Sequence, residues 1–272
     1  MQTVTAHGAI LPVIGLGTWK LSGETASVAV AAALEAGYRH VDTAIGYGNE
    51  TEVGEGIRRS GVARDEVFIT SKIPPEQLSA DDMMRAAEGS LHRLGIDQLD
   101  LILIHWPSRT LSAAETIRSL NRVKQRALAR HIGVSNYTIR LLDEAWAATE
   151  EPIVVNQCEH HPYLDQDKLR AATLAHGTAF VAYCPLGQAD ALDEPVIKDI
   201  AGRFGRTPAQ IVLRWQIQKG CVAIPKSAHP ARIKQNLDIE GFELAAVDMA
   251  DIDALKTEDS RICNSAYSPD WD

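Results

Sequence analysis

The sequence predicts an α/β chain folded as one (β/α)8 TIM barrel with an N-terminal β-hairpin and a short C-terminal tail. Three observations carry this. Short apolar runs alternate with helix-period segments from end to end; the runs number eight, which is the count of strand-helix units that closes a parallel barrel; and no proline-rich, glycine-serine or charge-block linker divides the chain. At 272 residues and 45% hydrophobic, the chain has enough apolar material for one large core, so a single domain over 1–272 is expected.

The elements follow in order. TVTAHGAILP (3–12) reads as a hairpin turning at His7-Gly8 and suits a plug for the barrel bottom. The strand runs are 14–16, 40–41, 67–70, 99–104, 131–134, 153–156, 179–183 and 222–224, with helical segments between consecutive members. Helix starts are marked by Ser79 with Asp82 behind it, Thr138, Thr207-Pro208 and His229-Pro230. The stretch 208–218 adds a helix before the last strand. The tail 257–272 has no periodic pattern, which fits either an ordered loop across the barrel mouth or a mobile end.

Composition narrows the function. A net charge of −9 and a pI near 5.5 argue against a nucleic-acid or anionic-membrane surface, since both need a basic patch. Cys158, Cys184, Cys221 and Cys263 lack CxxC spacing, so buried free thiols are expected rather than a zinc site or a disulfide framework. The N-terminus shows no basic stretch followed by an apolar run, and no segment approaches membrane-spanning length. A cytoplasmic monomer is the expectation.

Four reactive side chains follow strand-like runs: Asp42 after YRHV, Tyr47 in the next loop, Lys72 after VFITS and His105 after LDLILI. Parallel strands in a barrel bring their C-terminal ends to one face, where such enzymes keep their chemistry. A phenol with a pKa of about 10 is a poor acid at neutral pH, but an adjacent lysine cation lowers that value. Asp42 would hold Lys72 charged, and His105 would align a carbonyl oxygen so that a developing alkoxide meets donors already aimed at it. This is carbonyl reduction, and because no side chain supplies a hydride, a nicotinamide cofactor is implied. Each residue also has an ordinary use: Asp42 as a helix cap, Tyr47 as a rim aromatic, Lys72 as a solvated cation, His105 as a half-buried imidazole bonded to backbone. Their joint placement favours the site.

The chain resembles the aldo-keto reductases in GLGTW (15–19), DTAIGYGNE (42–50), TSK (70–72), LILIHWP (101–107), IGVSNY (132–137), VNQCEHHPYL (155–164), AYCPLG (182–187) and IPKSAHPARIKQN (224–236). With the closing SPDWD, it is most similar to the bacterial branch of 2,5-diketo-D-gluconate and methylglyoxal reductases. The resemblance implies Asp42, Tyr47, Lys72 and His105 as the catalytic set and NADPH as cofactor. By the same resemblance Ser135, Asn136 and Gln157 hold the nicotinamide amide and Tyr183 stacks on its ring. Thr18, Asp42, Pro185 and Leu186 complete that end. Lys226, Ser227 and Arg232 grip the 2′-phosphate, with Gln235 and Asn236 beside the adenine. Two cations and a hydroxyl at the start of a helix also make an anion site on physical grounds. Trp19, Gly46, Tyr47, His105 and Trp106 are the implied substrate pocket, for a small aldehyde, α-dicarbonyl or keto-sugar.

Glycines 15 and 17 do not start a dinucleotide fingerprint, because no third glycine follows at the required spacing. His160 and His161 invite a metal-hydrolase alternative, yet the first strand has no HxH pair, so no metal is expected and a structural role is assigned to EHHPYL. A second alternative is a catalytically weak nicotinamide-binding regulatory protein on the same fold. Cys184 stands where many relatives carry serine, Gly46 replaces a bulkier residue, KIPPEQL lacks an aromatic after the lysine, and the segments after His105 and Tyr183 are short. These departures bear on substrate identity and leave the reaction type alone.

Overall fold

The computed structural model describes residues 1–258 and 260–272. Strands β1 (Thr3–Ala6) and β2 (Ala9–Pro12) form the expected antiparallel hairpin. Its turn residues His7 and Gly8 have φ of 46° and 86°, the left-handed pair that a tight two-residue hairpin turn requires. The chain then alternates: β3 (Leu16–Gly17), α1 (Gly23–Ala36), β4 (His40–Asp42), α2 (Glu50–Ser60), β5 (Phe68–Ile73), α3 (Ala80–Leu94), β6 (Leu99–Ile104) and α4 (Ala113–Gln125). It continues through β7 (Ala129–Ser135), α5 (Ile139–Ala148), β8 (Ile153–Glu159), α6 (Asp167–Ala175) and β9 (Ala179–Tyr183). Two helices, α7 (Pro195–Phe204) and α8 (Pro208–Gln218), precede β10 (Val222–Ala223), and α9 (Pro230–Leu237) and α10 (Ala246–Asp253) follow it.

Strands β3 to β10 form one eight-stranded parallel sheet in sequence order. The sheet curls until its ends meet: parallel bridges join Ile14 with Ala223 and Gly17 with Lys226, and Gly15 N–H donates to Ala223 O at 2.9 Å. This arrangement is consistent with a (β/α)8 barrel. Gly17 is needed at the seam because a Cβ there would lie 2.7 Å from Ile224 O.

Apolar residues fill both faces of the sheet, as buried parallel strands demand. A large cluster lies between sheet and helices, while Leu101, Leu103, Val155, Val181 and Val222 pack inside with Ala6, Ala9 and Leu11 of the hairpin. The hairpin therefore closes the end away from the strand C-termini. Burying a leucine such as Leu11 contributes about 1.5–3 kcal/mol relative to exposure. Helix starts at Ser79, Thr138 and Thr207 are capped by their own hydroxyls, which accept from N–H groups three residues on. His229 precedes α9 without a side-chain cap.

Several strands run further than their apolar patterns. Asp42 ends β4 and Lys72 lies within β5, rather than after these strands; β8 extends through Gln157 to Glu159. Polar residues at these positions interrupt the hydrophobic signal while keeping the ladder. Of the two possibilities for the tail, the ordered crossing is the one found. Arg109 donates to Ala266 O at 3.0 Å and Ser268 O at 2.6 Å, Ile139 N–H donates to Asp272 Oδ2 at 2.7 Å, and Arg261 lies 3.6 Å from the Trp271 ring centroid.

Candidate active site

Seven of the eight strands of the curled sheet deliver a residue, from the strand or just beyond it, to one cleft of about 1100 Å³ at the C-terminal ends. Gly17 comes from β3, Asp42 from β4, Ser135 from β7, Gln157 from β8 and Tyr183 from β9. His105 directly follows β6, Lys226 lies just beyond β10, and Lys72 of β5 sits behind the wall, fully buried. Thr18, Trp19, Gly46, Tyr47, Trp106, Asn136, Pro185, Leu186, Ser227, Arg232, Gln235 and Asn236 also line the cleft, so of the residues assigned from the sequence to catalysis, cofactor or substrate only Lys72 does not face it.

At the centre, Lys72 Nζ is hydrogen-bonded to the Asp42 carboxylate, donates to Thr43 O at 2.9 Å and reaches the Tyr47 hydroxyl at 3.3 Å. The second Asp42 oxygen accepts from Gln157 Nε2 at 2.8 Å, and the Asp42 carbonyl accepts from Thr18 N–H and Thr18 Oγ1, each at 3.0 Å. A buried cation is tolerable only with such partners. Burial pushes the Lys72 ammonium down, but Asp42, Tyr47 and the hydrogen bonds push it up and prevail, so it remains charged.

The expected lowering of the Tyr47 phenol by Lys72 is outweighed. Burial raises it, Lys72 lowers it, and the net direction is up. The hydroxyl is therefore held as a protonated donor at neutral pH. His105 packs edge-on against Tyr47, with ring centroids 5.5 Å apart. Burial first, then the Lys72 charge, pushes its imidazole down to about 3, so the ring is neutral.

Asn136 has a left-handed backbone (φ 63°), a conformation asparagine tolerates better than most residues. Its side chain donates to His105 O at 3.0 Å and accepts from the Tyr183 hydroxyl at 2.8 Å, while Ser135 Oγ donates to Gln157 O at 2.8 Å. At the far end Lys226 and Arg232 are exposed and, among the described residues, form no salt bridge, beside the N-terminus of α9. Trp19 stands at the entrance, 43% exposed, and Trp106 faces Trp271 with centroids 6.3 Å apart. No atom lies within 4 Å of where a Gly46 Cβ would be, so its absence leaves open space.

His160 and His161 are buried outside this constellation. His160 stacks on Trp215 at 4.9 Å and pairs with Gln216, and His161 Nε2 lies 3.0 Å from Glu159 Oε1. Among the described residues no group of three His, Cys, Asp or Glu side chains is placed to hold a metal ion, and no helix is long and apolar enough to cross a membrane.

The sequence reading missed several parts of the wall, among them Lys20, Leu192, Thr207, Pro208 and Ala209 and two further stretches. Gln188 and Ala189, both at positive φ, line the cleft after β9, and Ile262, Cys263, Asn264 and Ser265 of the tail line it on the side of Tyr47 and Tyr183. Neither stretch has an apolar period that would flag it. Cys263 and Cys184 both line the cleft here.

The aldo/keto reductase family model matches residues 13–257. This chain belongs to the aldo/keto reductase family. An aldo-keto reductase of Mycolicibacterium vanbaalenii is 45% identical over 246 residues, 90% of this chain and 88% of that relative. Morphine 6-dehydrogenase of Pseudomonas putida is 40% identical over 265 residues, covering 92% and 90% of the two chains. A crystal structure of a protein proposed to be a 2,5-diketo-D-gluconic acid reductase B superposes with a TM-score of 0.98 at 38% identity, covering 100% of this chain and 98% of that one. Bombyx mori aldo-keto reductase in complex with NADP gives 0.90 at 31% identity, covering 94% and 92%. Membership makes this reductase an oxidoreductase of a family that uses nicotinamide cofactors.

Proposed function

We propose that this aldo/keto reductase is a single (β/α)8 barrel domain over 1–272 that uses NADPH to reduce small aldehydes, α-dicarbonyls or keto-sugars to alcohols. The observation that carries this is the buried Asp42–Lys72–Tyr47 chain, which holds a protonated phenol 3.3 Å from a lysine cation at the wall of the cleft. The residues present suit a dinucleotide. Polar groups of Ser135, Asn136 and Gln157 gather beside the Tyr183 ring, and two exposed cations without salt-bridge partners among the described residues lie at the other end, next to Ser227 and the start of α9. The donor set matches a carboxamide at one end and a phosphate at the other.

When bound, the reduced nicotinamide supplies the hydride. Ser135, Asn136 and Gln157 would hold its carboxamide, Tyr183 its ring face, Thr18, Pro185 and Leu186 the adjoining stretch. Lys226, Ser227 and Arg232 would hold the 2′-phosphate and Gln235 with Asn236 the adenine. The Bombyx mori relative's structure in complex with NADP, the dinucleotide that carries this 2′-phosphate, supports the choice. Tyr47 would donate its hydroxyl proton to the developing alkoxide, drawn by the neighbouring Lys72 charge, and the neutral His105 would orient the carbonyl oxygen. Trp19, Trp106 and the space beside Gly46 would accommodate the rest of a small substrate.

The test is a side-by-side screen of NADPH and NADH oxidation over aldehydes, α-dicarbonyls, keto-sugars and keto-acids. Faster turnover with NADPH on small carbonyls is expected. Tight cofactor binding with negligible turnover across the panel would overturn the reading in favour of a regulatory binder.

A further inference from the structure

Glu159 ends β8, two residues beyond Gln157, so the two side chains leave the strand on one face, while Cys158 between them packs outward with Leu169 and Phe180. Its carboxylate is fully buried and faces no lysine or arginine within salt-bridge distance among the described residues. Instead it is satisfied by hydrogen bonds. Oε1 accepts from Ile262 N–H at 2.6 Å and lies 3.0 Å from His161 Nε2; Oε2 accepts from Cys263 N–H at 2.8 Å. Burial raises this carboxyl, but the bonds from His161, Ile262 and Cys263 lower it and prevail, so the anion is the stable form.

The partners make this contact more than local packing. Ile262 and Cys263 open the tail segment that lines the cleft beside Tyr47. Before the wall the tail is held by Thr257 N–H and Ser260 Oγ, which donate to Tyr163 O at 2.9 and 2.7 Å, and after it the contacts lie towards the rim: Arg109 with the carbonyls of Ala266 and Ser268, Tyr267 with Glu76, and Asp272 with Ile139 N–H. Those are solvated or partly solvated, and such bonds contribute little. Among the described residues, Glu159 is the fully buried charged side chain whose hydrogen bonds reach the tail wall.

We propose that Glu159 is a positioning residue that clamps the tail at Ile262 and Cys263 and thereby sets the substrate-side wall of the cleft. The inference rests on the carbonyl-reductase reading, since it assigns the cleft beside Tyr47 to the substrate. Among the described residues Ser135, Asn136, Lys226 and Arg232 share no hydrogen bond with Glu159, Ile262 or Cys263, and of the residues assigned to the cofactor Tyr183 is the one paired with Glu159 across β8 and β9. A loosened wall should therefore weaken carbonyl binding more than NADPH binding.

Two measurements test this together. In the wild-type protein, hydrogen exchange of the Ile262 and Cys263 amides should be slow against that of Asn264. In Glu159→Gln, which keeps the shape but turns an amide toward one of the two N–H donors, exchange at these positions should rise about tenfold or more, the loss of one charge-assisted bond. KM for the carbonyl should rise by a similar factor, with kcat unchanged and KM for NADPH rising by clearly less. Should the Gln variant not fold, Glu159→Asp, which keeps the charge on a shorter arm, is expected to show the same pattern at smaller amplitude. Fast exchange at both amides in the wild type, an unchanged carbonyl KM, or an equal rise in KM for NADPH overturns the proposal. Absence of any carbonyl turnover in the wild type would instead overturn the reductase reading, and the exchange result would still report on the clamp.

Discussion

Replacing Tyr47 with Phe removes one oxygen atom from the site, and the structure separates what that does to folding from what it does to chemistry. The lost contact is the 3.3 Å bond from Lys72 Nζ. Lys72 keeps the Asp42 carboxylate and Thr43 O at 2.9 Å, so the cation is not left unpaired. A net cost of about 1 kcal/mol is expected, a fall in Tm of roughly 2–4 °C for a domain of this size. If Tyr47 delivers the proton, kcat should fall by about 10²–10⁴, equivalent to about 3–5 kcal/mol of barrier. KM for NADPH should stay put. The assay is steady-state NADPH oxidation with a carbonyl accepted by the wild type, alongside thermal unfolding. Because burial holds the phenol above its ordinary value, wild-type kcat should not lose its donor until the pH exceeds about 10. A Phe variant with wild-type turnover refutes the assigned acid; a variant that loses turnover only because it unfolds shows that the hydroxyl is structural.

Three further outcomes follow from the same geometry. Alanine at both Lys226 and Arg232 should raise KM for NADPH by about 10²-fold or more while leaving KM for NADH unchanged; an equal effect on both cofactors would remove the phosphate assignment. His40 and His160, held neutral by burial at about 4 and about 3, bind protons in the unfolded chain below about 6.5. Stability is therefore full above that pH and is lost as pH falls from about 6.5 toward 4, with a slope of roughly 3 kcal/mol per pH unit for the two groups. Urea unfolding at pH 7 and pH 5 that gives equal stabilities would contradict this. Iodoacetamide should label Cys184, whose thiol is pushed down by the Cys263 side chain, well before Cys158 and Cys221, which are buried and pushed up to about 12; peptide mapping with the order reversed would count against the cleft geometry.

How much of this was legible in the chain depends on whether the information is local. The strand-helix rhythm and the hairpin at His7-Gly8 are properties of adjacent residues, and both appear where the pattern places them. Asp42, Lys72 and Gln157 were found as site residues although the strand pattern stopped short of all three, because a polar residue inside a barrel strand erases the apolar run that marks it. The sign of the Tyr47 shift was not legible: Lys72 is visible in sequence, but the burial that outweighs it is made by residues from many strands. The tail was the least legible of all. Its residues have no period and its path is set by a carboxylate about a hundred positions away, so nothing near 262–265 announces a wall. What the chain did offer was Glu159 itself, two residues after Gln157 on a strand whose face points into the cleft. A buried carboxylate there must find donors. His161 supplies one donor, and with no lysine or arginine within salt-bridge distance among the described residues, the backbone N–H groups of Ile262 and Cys263 supply the others, from the part of the molecule that closes the site.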